Sequence, residues 1–420
     1  MKNKVTYPLM GFNSWDCYGA AINEEQLLSI AEYVKGNMAD FGYRYIVCDI
    51  QWYEPKAKST QYNNFTELCV DDFSRVIPAV NRFPSSANGV GFKAIADKIH
   101  DMGLLFGIHI MRGIPRQCVH QNTPTVTPGV TARDIASSFS VCPWNTDMYG
   151  INPNARGAQE YYDSIFEMYA SWGIDFVKVD DIANTEYKPH DPYSAKAEIE
   201  MIAKAIQKTG RHIILSLSPG PAPIDHASHL AQYANMWRMS GDFWDESKKL
   251  DEMFELCYKW YEYIEDNSRP DCDMLPLGVL CLNDENEKHR ARNSRFTKSE
   301  QEMVMGLWCM FRSPLFFGGD PRFNDEFTLQ LITNENLISL QNSSKNNRPL
   351  FWNKKQAIWY CNDKNGDSVY GFFNLEDIAV TIRTPFNEKI AGLNLIDNKN
   401  ETIGENTIIP ARSCKIFRVK

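Results

Sequence analysis

The sequence predicts an α/β fold: a (β/α)8 TIM barrel followed by a C-terminal antiparallel β-sandwich domain. Three observations carry this. Eight short apolar runs alternate with segments whose apolar residues recur at helical spacing. Two long irregular stretches, 51–90 and 112–156, each follow the end of such a run. After about residue 342 the helical spacing stops, and short strand-like segments are separated by turn residues.

The strand-like runs are expected at 8–15, 43–50, 104–111, 176–181, 212–219, 236–242, 274–278 and 314–319. The seventh is short and contains Pro276. Helices are expected at 24–41, 91–102, 158–172, 195–209 and 298–311. Strands that alternate with helices are parallel with helical crossovers, and eight such units close a barrel. Loops that follow barrel strands lie on the catalytic face, so both long stretches belong there. Beyond the barrel, strands are expected at 356–361, 368–373, 379–384 and 414–419, separated by NDKNGD, NLED and NKNE. The expected domains are therefore a catalytic barrel over 1–341 and a β-domain over 342–420.

Composition excludes several classes. A net charge of −9 offers no basic face to nucleic acid or an anionic membrane. No segment reads as a membrane span, and the N-terminal stretch lacks the apolar run of a signal peptide. Compartment and oligomeric state stay open. The eleven cysteines form no CxxC pair and read as buried thiols, and the histidines form no HExxH. GxGxxG and GxxxxGK[ST] are absent. Neither cofactor nor metal is expected.

Chemistry is written at the strand ends. The fourth strand reads FVKVDD, placing Lys178 and Asp180 two residues apart on one face where a core strand should be apolar. A lysine beside a carboxylate favours its ionised form. Asp181 points the other way, toward the helical layer. Other acids stand where strands end: Asp49 after the second, Asp242 and Asp245 after the sixth, Asp273 near the seventh, Asp16 after the first. An Asp between strand and helix is often only an N-cap, and Asp16, Asp181 and Asp245 fit capping or loop bonding well. Two carboxylates at one barrel mouth also suit glycoside hydrolysis, in which one attacks and the other donates and accepts the proton. The residues alone support a barrel enzyme with an acidic pocket.

Five motifs in order, PLMGFNSWDCYG, YRYIVCDIQW, FVKVDD, WRMSGDFWD and RPDCDML with FTKSEQEMVMGLWCMFRSPLFFGGD, resemble glycoside hydrolase family 27, the α-galactosidase and α-N-acetylgalactosaminidase family. The resemblance implies a barrel plus β-domain and a retaining mechanism. It makes Asp180 the nucleophile and Asp242 the general acid/base. Lys178 and Asp49 would grip sugar hydroxyls, Asp49 on the C4–C6 side. Trp15 would wall the pocket, Arg238 would stand near the C2 substituent, and Asp273 at the rim. Phe243 and Trp244 would supply a less polar surround for Asp242. The implied partner is an oligosaccharide or glycoconjugate with a terminal α-linked galactose or N-acetylgalactosamine.

The chain departs from the family at several positions. Ile50 stands where α-galactosidases carry a second acid for the galactose 6-hydroxyl. Either the substrate is a β-L-arabinopyranoside, which lacks that hydroxymethyl group, or Trp52, Tyr53 or Glu54 supplies the missing partner. His109 replaces a pocket tyrosine and reads either as a sugar contact or as a satisfied wall residue. Small Ser218 and Gly220 read as room for a 2-acetamido group, with Pro219 where the family has tryptophan. Cys118 lacks its family partner, since Ile182 stands near that position. Two further readings are an inactive carbohydrate-binding barrel and a Schiff-base enzyme using Lys178.

Overall fold

The computed structural model describes residues 2–5, 7–282 and 290–419. Eight parallel strands form its centre: β1 (Met10–Asn13), β2 (Tyr45–Cys48), β3 (Leu105–Met111), β4 (Phe176–Asp180), β5 (Ile214–Leu217), β6 (Met236–Arg238), β7 (Arg269–Asp271) and β8 (Leu315–Phe317). Their order is β7-β6-β5-β4-β3-β2-β1-β8. Leu275, just past β7, closes the circle by bridging in parallel to Phe317, with its N–H 2.8 Å from the Phe316 carbonyl. The strands are buried on both faces, as parallel barrel strands must be.

Helices cover the outside: α1 (Glu24–Asn37), α2 (Lys93–Asp101), α3 (Ala158–Trp172), α4 (Lys196–Thr209), α5 (Ala227–Tyr233), α6 (Ser247–Trp260), α7 (Lys298–Phe311), α8 (Glu326–Ile332) and α9 (Glu335–Ser343). Two start on reciprocal capping boxes, Asn23 with Gln26 for α1 and Thr297 with Glu300 for α7.

The seventh strand is not where the apolar run 274–278 placed it. It is Arg269–Asp271, aligned with Met236–Arg238. The cause is burial of charge. Arg269 and Asp271 are both buried, and Arg269 donates to the Asp266 carbonyl at 2.8 Å. A strand spelled Arg-Pro-Asp gives no hydrophobic signal. The other strands are shorter than their apolar runs, so residues at several run ends fall in turns above the sheet.

Of the long stretches, 51–90 contains no strand. Residues 112–156 build a small antiparallel sheet from Ile114–Pro115, Ala136–Val141 and Met148–Ile151. Both rise from strand ends at the same mouth.

Past α9 come β9 (Lys345–Trp352), β10 (Gln356–Asn362), β11 (Ser368–Asn374), β12 (Val380–Arg383), β13 (Ile390–Asn394), β14 (Lys399–Ile403), β15 (Asn406–Ile409) and β16 (Ser413–Val419). A six-stranded sheet, β9-β10-β11-β16-β13-β14, faces the β12-β15 pair. Strand alternation divides its residues. Ile358, Phe372 and Phe417 fill the sandwich with Ile382 and Ile409, whereas Trp359, Phe373 and Ile416 join the barrel core. Among the described residues no helix is long and apolar enough to cross a membrane.

Candidate active site

The charged residues of β4 meet charges from neighbouring strands. Lys178 is in register with His109 on β3. Its Nζ lies 3.0 Å from Asp49 Oδ2. That oxygen also accepts from Asn13 Nδ2 at 2.8 Å, while the Ile50 N–H donates to Oδ1 at 2.8 Å. Burial alone would raise the Asp49 carboxyl, but Lys178, His109 and these hydrogen bonds outweigh it and hold it well below the usual range. Asp180 follows the same logic. Burial opposes its charge, yet His109 Nε2 sits 3.0 Å from Oδ2, Lys178 is near, and the Asp181 N–H donates to Oδ1 at 2.9 Å. The carboxyl is held low and stays ionised. Lys178 is correspondingly pushed up: burial works against its charge, and Asp49 and Asp180 overcome that. The strand carries charges because they pair across the barrel end.

Opposite, β6 stops at Arg238 and the chain turns outward through Gly241 to Asp242. The Asp242 side chain is 51% exposed. Arg238, nearly fully buried, bridges two acids, reaching Asp242 Oδ1 at 3.0 Å and Asp273 Oδ2 at 2.9 Å. Asp273 also accepts the Phe243 N–H at 2.8 Å. Its own N–H donates to Asp271 Oδ1 at 2.9 Å. Burial pushes Asp271 up to about 7, with Asp273 adding to it; burial pushes Asp273 to about 6 against the pull of Arg238. Neither aromatic expected to give Asp242 a less polar surround, Phe243 or Trp244, lines the cavity beside it. Phe243 turns down onto Trp308, ring centroids 4.8 Å apart, and leaves the carboxylate beside Arg238 and solvent.

A cavity of about 390 Å³ opens between these two sides. Trp15, Asp49, Ile50, Lys178, Asp180 and Asp242 line it, six of the ten residues expected to form the site. The other four stand behind it. His109 is wholly buried and backs Asp180, so of its two readings the structure favours the satisfied wall residue, its partner being the carboxylate. Arg238 and Asp273 lie beneath Asp242 rather than at the lining. Ser218 is 1% exposed, and its backbone carbonyl caps the turn at Ile182. Gly220 does line the cavity, but a Cβ there would fall 2.1 Å from the Ser240 carbonyl oxygen. Its small size serves the close passage of two backbones and not a ligand.

The partners offered for the gap at Ile50 are engaged elsewhere. Trp52 Nε1 donates to the His109 carbonyl at 2.6 Å, Tyr53 Oη to Asp147 Oδ2 at 3.1 Å, and Glu54 accepts from Asn63 and Thr66. All three are fully buried and none lines the cavity. At Ile50 the wall beside Asp49 is apolar.

The acids suited to capping divide. Asp181 pairs with Arg112 at 2.8 Å, Arg112 reaches Glu198 on α4 at 2.9 Å, and Asp245 is held by Arg292 and the Arg295 N–H. Asp16 is buried in the first turn after β1, and its Oδ2 has no hydrogen-bond partner. All eleven cysteines, Cys118 included, are free thiols. Among the described residues no His, Cys, Asp and Glu cluster could hold a metal.

The cavity also has walls that sequence reasoning did not assign: Tyr62, Trp144, Thr60 and Glu186. All lie in irregular loops, where no period exists to read. The only available signal was aromatic residues in long stretches after strands.

The chain has clear relatives. The family model described as alpha galactosidase A matches residues 147–343. Alpha-galactosidase 2 of Arabidopsis thaliana is 27% identical over 334 residues, 79% of this chain and 66% of that enzyme's length. The crystal structure of a GH27 β-L-arabinopyranosidase from Geobacillus stearothermophilus superimposes with a TM-score of 0.94 at 45% identity, covering 99% of this chain and 96% of that one. A Bacillus halodurans protein provisionally assigned as an α-N-acetylgalactosaminidase matches at 43% identity and TM-score 0.87, with both chains covered completely. Identity at this level over nearly the whole of both chains reaches past fold, and the chain belongs to glycoside hydrolase family 27, whose members hydrolyse glycosidic bonds.

Proposed function

We propose that the chain is a retaining exo-glycosidase whose preferred substrate is a terminal β-L-arabinopyranoside. One observation carries the choice of sugar. Ile50 lines the cavity beside Asp49, and Trp52, Tyr53 and Glu54 are all buried and bonded elsewhere. A galactose 6-hydroxyl facing that wall would lose a hydrogen bond, which costs about 1–3 kcal/mol. β-L-Arabinopyranose is galactose without that hydroxymethyl group and has nothing to lose there. The likeness to the Geobacillus β-L-arabinopyranosidase supports the same reading.

The steps assign each residue. Asp180, ionised, attacks the anomeric carbon as the C1–O bond breaks, and Asp242 gives its proton to the leaving oxygen. A glycosyl-aspartate and a free alcohol result. Asp242, now a carboxylate, takes a proton from water, which attacks the same carbon and releases Asp180. Its half-exposed position suits an acid that must exchange protons with solvent, and Arg238 keeps it over the cavity. Asp49 and Lys178 hold ring hydroxyls through charge-assisted hydrogen bonds.

An α-N-acetylgalactosaminide is the weaker reading, because Ser218 is withdrawn from the lining and Ser240 fills the space beside Gly220. The test is p-nitrophenol release from β-L-arabinopyranoside, α-D-galactoside and α-N-acetylgalactosaminide, with Asp180→Asn as the blank. The arabinoside should lead, and Ile50→Asp should shift the arabinoside-to-galactoside ratio roughly ten- to a hundredfold toward galactose. A wild-type enzyme that prefers the galactoside, or an Ile50→Asp ratio that does not move, overturns this choice of sugar.

A further inference from the structure

We propose that Tyr62 and Trp144 extend the wall begun by Trp15 into a binding site for the leaving group, and that this site takes a flat or chair-shaped ring. The inference rests on the function proposed above and adds the leaving-group side to it.

Depth separates the two parts of the cavity. Asp49, Lys178 and Asp180 sit at strand ends and form its floor. Tyr62 and Trp144 hang from the loops that rise after β2 and β3, and so form its rim. A leaving group departs upward from the anomeric carbon and must cross that rim. The three aromatic rings line the cavity and touch in series. Trp15 and Tyr62 stack with centroids 5.8 Å apart and planes at 19°, and Tyr62 and Trp144 follow at 5.8 Å and 43°. The cavity volume of about 390 Å³ lies in the range that holds drug-sized ligands.

Tyr62 marks the junction. Its phenol is pushed up by burial and then by Asp180, Asp49 and Asp242, so it remains a protonated donor among the three carboxylates. Its hydroxyl makes no hydrogen bond to any described residue, which leaves the O–H for a substrate oxygen. Across the rim, the exposed Glu186 carboxylate is an acceptor for hydroxyls of a second ring. An aromatic face on one side and a polar edge on the other is the arrangement that binds a pyranose or an aryl ring.

The experiment compares two leaving groups on one sugar: p-nitrophenyl β-L-arabinopyranoside and β-L-arabinopyranosyl fluoride. Trp144→Ala should lower the ratio of kcat/KM for the ring-bearing substrate over the fluoride about tenfold. Trp144→Phe should restore most of it, which separates lost stacking from a collapsed loop. Tyr62→Phe keeps the stack and removes the hydroxyl, so it should lower both substrates together. A ratio that Trp144→Ala leaves unmoved overturns the leaving-group site while the proposed function stands. A wild-type enzyme that cleaves neither arabinoside overturns the function, and the site with it.

Discussion

At the scale of the residue, His109 shows what sequence can and cannot say. Its presence on β3 in place of a tyrosine was plain, but whether it met sugar or wall depended on strand register. In register with Lys178 and buried behind Asp180, it holds the proposed nucleophile with a hydrogen bond of 3.0 Å. Also facing Asp180 are Lys178 on its own strand, the adjacent Asp181, and the neutral phenol of Tyr62 above. His109→Phe removes a donor that favours the carboxylate, so the acid limb of the kcat/KM–pH profile should move to higher pH. His109→Gln keeps a donor at the same reach and should return it toward wild type. An acid limb that Phe leaves in place would show that His109 only fills space. Lys178 and Asp180 were legible for the opposite reason: charges inside an apolar strand have no bland explanation, whereas Tyr62 and Trp144 sit in loops without a period.

At the scale of the element, β7 is the strand that hydrophobic patterning missed. The same buried charges that hid it tie stability to pH. Asp271 is pushed up to about 7, against an ordinary carboxyl value of about 4. A raised carboxyl favours the fold when protonated. Its contribution is complete below pH about 4 and is lost as pH rises to about 7. Asp49 and Asp180 are held low, so theirs is present above pH about 4 and lost only as pH falls through their depressed values. The two windows do not overlap. In Asp271→Asn the side-chain oxygen still accepts the Asp273 N–H, and the titration is gone. Thermal unfolding followed between pH 4 and 7 should therefore fall less steeply for Asp271→Asn than for wild type, by an amount of order a few kcal/mol at the upper end. Parallel curves would mean that Asp271 does not titrate in this window.

At the scale of the whole molecule, the turn-rich sequence after residue 342 announced a second β-rich part but not how it is attached. The expected division at 341–342 falls in the last turn of α9 (Glu335–Ser343). The core does not divide there. Helix α7 is buried along nearly its whole length, with the barrel on one side and the six-stranded sheet on the other. Contact is close enough that a Cβ on Gly306 would lie 2.7 Å from Ile416, and one on Gly371 would lie 2.5 Å from Met310. Phe254 of α6 packs against Phe373 at 5.0 Å and stacks on Trp352 at 5.9 Å. Arg412 crosses the seam to Asp251 at 2.8 Å and Glu300 at 3.2 Å. A periodicity argument assigns α7 to the barrel, because helical spacing records that a face is apolar and not what covers it. Removing the sheet would leave the outer face of α7 and the ring of Phe254 in water, an apolar patch of the size that drives aggregation. A chain cut after Ser343 should therefore bind a hydrophobic dye and precipitate, while the full chain unfolds in one calorimetric transition. Two separated transitions in the full chain, or a truncated barrel that stays monomeric and cleaves glycosides, would show that the barrel stands without its second domain.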